Sequence, residues 1–336
     1  MKDKQRIAHR KTAGSVLIIA LWSLFFITFF TVTLSGVITQ KLNVSGRIDE
    51  EIREYFAARA GIELAKAVLG TDESEEYDGS YDNWANNEKA FKEQKIGDAI
   101  FSVSYTIKTK SPEPETVYGL IDEERKLNIN KADAGTLTRF FGFFGIEKAD
   151  ELASSVIDWR DEDSETAKGG AEKSYYNSLE YPYSPRDDLF ESIYELPLVK
   201  GMDDEFFKAV KDYVTIFGEG RININTAQRE VMNSIGFSEP LITKITEYRN
   251  GIDAKPFTPD DRLFESVINI KEDLDSFKGL SDDEKKQIDE AVSKNLISVK
   301  AQYFEARATG KVNNKKEGVS ITCIVSREGE VFFWHE

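Results

Sequence analysis

"KTAGSVLIIALWSLFFITFFTVTLSGVITQ", residues 11–40, is the stretch that decides the fold. No residue from Ser15 to Thr39 is charged. At about 1.5 Å per helical residue the run is ~37 Å long, enough to cross a hydrocarbon core with some tilt. Before it stand Lys2, Lys4, Arg6, Arg10 and Lys11 against Asp3. Flanking basic residues stay on the cytoplasmic side, so everything after Gln40 is expected to be translocated. The run is longer than the h-region of a cleaved secretory signal, and no A-x-A-like site closes it. Two readings remain: a plain signal anchor, or a helix freed of its leader by a cut at Gly14.

The rest of the chain can bury a sizeable core. It has 336 residues, 40% hydrophobic and 12% aromatic, a length that suits two domains or one elaborated domain. Cys323 is the only cysteine, which excludes an intrachain disulfide and a thiolate metal cluster. The formal charge is −16 although the leader is basic, so the translocated part repels phosphate backbones and attracts cations. Histidines occur only at His9 and His335, and no nucleophile–base pairing can be drawn from them. The chain reads as a structural component, not an enzyme.

Apolar periodicity continues past the membrane run. In "LNVSGRIDEEIREYFAARAGIELAKAVL", from Leu42 to Leu69, the residues Ile48, Ile52, Phe56, Ala60, Leu64 and Val68 recur at helical intervals, and Gly70 offers a stop. This amphipathic stalk could pack on the following domain, on sister helices in a filament, or on both. Strand-like alternation follows in "AIFSVSYTIKTK" and "TVYGLIDEERKLNIN" and returns in "FEARATGKV" and "VSITCIVSREGEVFFW". Between these regions the periodicity is helical. The expected organisation is a leader over 1–14, a transmembrane helix over 15–39 and its amphipathic continuation over 40–70. Then come the first part of a small α+β domain over 71–127, an inserted helical domain over 128–297, and closing strands over 298–336.

The insert repeats itself. "LNINKADAGTLTRFFGFFGIEKADELASSVIDWR" from Leu127 matches "ININTAQREVMNSIGFSEPLITKITEYR" from Ile222 in its N-I-N entry, its glycine turn and its final aromatic-Arg; "PRDDLFES" from Pro185 echoes "PDDRLFES" from Pro259. Two helical subdomains packed on each other are expected. The pattern resembles helix-hairpin-helix or SAM-like repeats, which raises a rival function, a membrane-anchored DNA-binding or DNA-uptake protein. A phosphate clamp needs a glycine-rich turn with basic flanks. Here Gly145-Ile146-Glu147 and Gly236-Phe237-Ser238 lack the second glycine, and Lys148, Lys200 and Lys244 are scattered among more numerous acids. The hairpins are therefore expected to be packing units, with no nucleic acid bound.

The sharpest chemical signal is "DWRDEDSETAKGGAEKSYY", residues 158–176. Asp161, Asp163 and Glu165 alternate as oxygen ligands do when one loop wraps a hard cation, and Glu172 takes the twelfth place. Thr166 stands where an EF-hand needs glycine, so the loop is not an EF-hand. A solvated acidic loop is the plain alternative. Acids at a helix C-terminus oppose the helix dipole, however, and Trp159, Tyr175 and Tyr176 suggest a packed loop; a divalent ion resolves both.

These residues support a resemblance. "KTAG" before "SVLIIALW" is similar to the type III signal of type IV pilins and pseudopilins. With "LNIN", "DWRDED…GGAE..YY", "YELPLVKGM", "ININTA" and "YFEARA", the chain resembles the K-type minor pseudopilins of type II secretion systems (general secretion pathway protein K). The resemblance implies an α+β pilin-like fold, a long N-terminal helix and an antiparallel sheet carrying a large α-helical insert. It implies cleavage by a prepilin peptidase between Gly14 and Ser15, with methylation of the new N-terminus. Most relatives carry Glu at mature position 5, thought to pair with a neighbour's N-terminal amine; here that position is Ile19, which suits a subunit with no neighbour above it. It further implies calcium held by Asp161, Asp163, Glu165 and Glu172, with Asp187 a weaker candidate. The implied partners are I-type and J-type minor pseudopilins and the inner-membrane secretion platform, with the C-terminal domain in the periplasm. "SETAK" replaces the proline-rich segment usual in the family's loop.

Overall fold

The computed structural model describes residues 13–72, 76–107, 114–312, 315 and 317–336. The basic leader, residues 1–12, lies outside the described residues, so of the expected processing site only Gly14 and Ser15 are placed, at the start of the first helix. That helix, α1 (Ala13–Leu69), is continuous for 57 residues. Its first half has exposed apolar side chains from Val16 to Val37. Three of its hydroxyls are satisfied within the helix: those of Thr28, Thr31 and Thr33 donate to carbonyls four residues back, at 2.9, 2.7 and 2.9 Å. Among the described residues, one helix is thus long and apolar enough to cross a membrane.

The second half of α1 packs on an antiparallel sheet. Its strands are β1 (Gln94–Ile96), β2 (Ala99–Val103), β5 (Ile121–Asp122), β10 (Tyr303–Val312), β11 (Val319–Ser326) and β12 (Val331–His335), in the order β1-β2-β10-β11-β12, with β5 paired to the start of β10. A short helix α2 (Glu88–Phe91) and a separate hairpin, β3 (Tyr105–Ile107) with β4 (Glu115–Val117), complete this part. The contact selects small residues. Ala57, Ala58, Gly61, Ile62, Ala65 and Leu69 are buried, and a Cβ on Gly310 of β10 would lie 2.0 Å from the Glu54 carbonyl oxygen. The amphipathic stripe divides: Ile48, Ile52 and Phe56 are exposed, and Ala60, Leu64 and Val68 are partly buried at the edge of the contact with the domain. Large apolar side chains set the sequence periodicity, but close approach of helix and strand backbones needs alanine and glycine.

The insert runs between two short parallel strand pairs. β6 (Leu127–Asn128) pairs with β7 (Val214–Thr215), enclosing the first repeat; β8 (Ile222–Asn223) pairs with β9 (Ile297–Ser298), enclosing the second. The first holds α3 (Ala134–Phe143), α4 (Ala149–Arg160), α5 (Lys173–Asn177) and α6 (Asp204–Val210). The second holds α7 (Arg229–Ser234), α8 (Glu239–Arg249), α9 (Ile270–Lys278) and α10 (Asp282–Ser293). The repeated residues make the same bonds twice. The Asn130 side chain accepts from Phe190 N and donates to Phe190 O at 2.8 and 2.9 Å; Asn225 does the same with Phe264 at 2.8 and 3.0 Å. Arg160 donates to the carbonyls of Ile129 and Ala132, and Arg249 to those of Ile224 and Ala227. Trp159 stacks on Phe190 as Tyr248 stacks on Phe264. The repeats share one core, with α3 against α7 and Arg139 Nε donating to Ser234 O at 2.7 Å.

The insert lies at the end of α1 away from the apolar run. Gly310 abuts Glu54 and Ala58, whereas the start of β10 and the turn after β11 meet the C-terminal end of α1, where Arg327 binds Asp72 at 3.0 Å.

Candidate metal site

The acidic loop begins inside α4. Arg160 is held by its two carbonyl bonds, which fixes the helix end, and Asp161 is the C-cap, its N–H donating to Ile157 O at 3.0 Å. Asp158, one turn earlier, points into the same space and is 1% exposed. Its carboxylate accepts from Ala167 N at 3.2 Å with both oxygens. The two glycines of the loop act differently. Gly169 has φ +84°, which favours glycine, while a Cβ on Gly170 would fall 2.1 Å from Asp158 Oδ2. Glu172 then caps α5, and one of its oxygens accepts from Lys173 N at 3.3 Å.

Carboxylate oxygens of Asp161, Asp163 and Glu172 lie within 4.8 Å of one another. Asp161 Oδ1 and Glu172 Oε1 are buried without a hydrogen-bond partner. Burial first, and then the neighbouring carboxylates, push Asp158, Asp161 and Glu172 above the usual range; Asp187 is among the charges acting on Asp161 and Glu172. Asp187 is positioned by its own N–H, which donates to Trp159 O at 3.1 Å, with φ +53°. Lys200, whose charge eases Asp158, is committed to the Gly169 and Gly170 carbonyls at 3.0 and 2.9 Å. Hard oxygens in excess, with two of them orphaned, fit a divalent cation of the calcium class. Glu165 stands apart: its N–H donates to Asp163 Oδ1 at 2.7 Å, and its side chain is exposed outside the group. Asp158 was missed from sequence because it lies within the helix, although it begins the quoted stretch three residues before Asp161.

A second group, Asp72, Asp78 and Asp82, is equally close, but Arg327 already bridges Asp72 and Asp78. Glu151 and Glu239 lie in the first turns of α4 and α8; Lys148 pairs with Glu151 at 2.9 Å and Lys244 with Glu284 at 2.7 Å. Ser15 and Ile19 lie on the apolar end of α1, where Ile19 is exposed.

A long apolar helix packed by its distal half on an antiparallel sheet defines a pilin-like subunit, here enlarged by a duplicated helical insert. Residues 117–219 match the family model described as type II secretion system protein K. A curated relative of that name from Aeromonas hydrophila is 22% identical over 96% of both chains. Another, from Pectobacterium carotovorum, is 29% identical over 30% of this chain, a match spanning 29% of the relative. Among solved structures, a chain of the GspK-GspI-GspJ complex from enterotoxigenic Escherichia coli superposes with a TM-score of 0.61 at 16% identity, covering 90% of this chain and 97% of the other; it shares the fold. Over nearly its whole length the chain is thus similar to protein K of type II secretion systems, and residues 117–219 carry the match to that family's model.

Proposed function

We propose that this subunit caps and initiates a periplasmic pseudopilus, in complex with I-type and J-type minor pseudopilins. The observation that carries the reading is the pairing of two features at opposite ends of α1: an apolar Ile19 at the fifth position after Gly14, and a broad insert at the distal end. A subunit stacked above would have to thread its own helix past the insert. It would also find no carboxylate at Ile19 to neutralise its amine, a group costly to leave charged in lipid. Prepilin peptidase cuts between Gly14 and Ser15 in the cytoplasm, the new terminus is methylated, and the inner-membrane platform pushes the short filament from below. The protein is a substrate of that peptidase and has no catalytic role of its own.

Within the insert, Asp161, Asp163 and Glu172 would hold the calcium ion, with the Asp158 and Asp187 charges acting on the group and Glu165 outside it. The ion supplies positive charge at the end of α4; the chain's part is to fix that helix end through Arg160 and to shape the loop through Gly170. Co-expression with prepilin peptidase tests the reading. The N-terminal residue of the membrane-extracted protein should be Ser15, and a Gly14→Leu variant should keep its full mass. Recovery of the wild-type chain with its leader intact would return α1 to a plain anchor. The copurified I-type and J-type subunits should be lost on removal of residues 15–69.

A further inference from the structure

The insert is fastened to the sheet through one acidic turn, "DEERK" at 122–126, between β5 and β6. Asp122, Glu123, Glu124 and Lys126 are all buried there. Asp122 reaches the second repeat, accepting from Asn223 Nδ2 at 2.8 Å and from the Thr226 hydroxyl. Glu124 reaches the sheet, accepting from Gln302 N at 2.8 Å and Tyr303 N at 3.1 Å. Glu123 binds the Thr215 hydroxyl of the first repeat. One turn thus joins both repeats to the start of β10.

Several cations around this turn are engaged with other acids. Lys126 pairs with Glu123 and with Glu305 of β10, Arg307 with Glu305, and Arg327 with Asp72 and Asp78. Arg125 acts on Tyr105, Tyr213 and Arg249, and its Nε is buried without a partner. Asp122 and Glu124 are left with neutral donors only. Facing Asp122 are Asp78 and Glu124; facing Glu124 are Asp122 and Glu123, with Glu219, Arg221, Lys300, Glu328 and Glu330 lining the cleft beside it. Arg221 is bonded to Glu219 at 2.7 Å.

We propose that the turn is a proton-operated latch: with Asp122 and Glu124 protonated the insert is locked to the sheet, and their ionisation loosens the junction. Burial pushes Asp122 up to about 6 and Glu124 up to about 8, each raised further by neighbouring acids. A carboxyl raised in the folded state stabilises it fully below the unfolded value, near 4, and that stability is lost as pH rises through the folded value. The loosening window is therefore pH 6 to 8.

The test is amide hydrogen exchange on the full chain in detergent, from pH 5.5 to 8.5, with calcium in excess and rates corrected for intrinsic exchange. Protection at Gln302 and Tyr303 should fall at least about tenfold across the range relative to Ile321 on β11. E124Q should flatten the profile at 302–303, and D122N should flatten it at Glu124, whose N–H donates to Asp122 Oδ1 at 2.7 Å. A wild-type profile no steeper at 302–303 than at Ile321 overturns the latch, as does an unchanged slope in the variants. If E124Q does not fold, D122N and the wild-type profile still decide the matter.

Discussion

Replacing Asp161 by asparagine should have opposite effects with and without calcium. Asn keeps the shape of the side chain and removes one charge from a group whose oxygens lie within 4.8 Å. At that spacing two unit charges repel by about 0.9 kcal/mol in water and about 3.5 kcal/mol at an effective dielectric of 20. Asp163 is exposed, so screening places the relief near the lower figure, about 1 kcal/mol. In chelator, D161N should therefore melt about 2 °C above wild type. At calcium about 100 times its Kd, the wild-type chain gains about 2.7 kcal/mol that D161N largely forfeits, so the order of melting temperatures reverses. Burial and neighbouring acids raise Asp158, Asp161 and Glu172, so the metal-free site loses stability as pH rises. Calcium displaces the protons, and its increment should grow with pH. The assay is thermal melting of the full chain in detergent, in chelator and in calcium, at pH 5.5 and 8. A D161N variant that melts below wild type in chelator, or responds equally to calcium, refutes the reasoning.

Gly170→Ala places a methyl 2.1 Å from Asp158 Oδ2 and should weaken calcium binding at least tenfold by titration while leaving the second repeat intact. Arg249 is half-buried, with desolvation lowering its pKa to about 10, and it donates to two carbonyls; R249M should cost about 3 kcal/mol in denaturant melts, mostly from the orphaned oxygens. Gly310→Val forces α1 off β10 and should expose the helix–sheet contact to protease near Ala58 while helix content is retained.

The helix and the duplication were legible because each writes a long-range constraint into local sequence. A charge-free run announces α1, and N-x-N with a distant aromatic-Arg announces a repeat because those side chains bond the backbone identically in both copies. Two features were not legible. The buried face of α1 includes Ala57, Ala58, Gly61 and Ala65, which hydrophobic periodicity underweights against Ile48, Ile52 and Phe56. "TVYGLIDEERKLNIN" read as continuous strand alternation, but the structure breaks it into β4, β5, a 3₁₀ turn and β6, because Asp122, Glu123 and Glu124 find partners distant in sequence. Burial of a charged residue cannot be read from its own neighbours when its partners lie about 90 or more positions away.

The duplication also sets the proposed cation site of the first repeat against the corresponding excursion of the second. Both repeats end a helix in aromatic-Arg, make an excursion, and return to a phenylalanine clamped by asparagine. In the second, the excursion closes on itself. Asp260 accepts from Ile252 N at 2.6 Å, Asp253 N at 3.1 Å and Thr258 Oγ1 at 2.8 Å, bonds that hold its pKa below the usual range. Asp261 accepts from Phe257 N and from Ser80 across the junction. In the first, the loop is longer, Asp161 and Glu172 keep an oxygen each without a donor, and their pKa values are raised. The same problem of negative charge beyond a helix C-terminus is thus met by backbone donors in one copy, while in the other the proposed cation would meet it. Calcium withdrawal should therefore raise hydrogen exchange across 158–187 and leave 249–264 unchanged; equal loss of protection in both repeats would show the two excursions to be one cooperative unit.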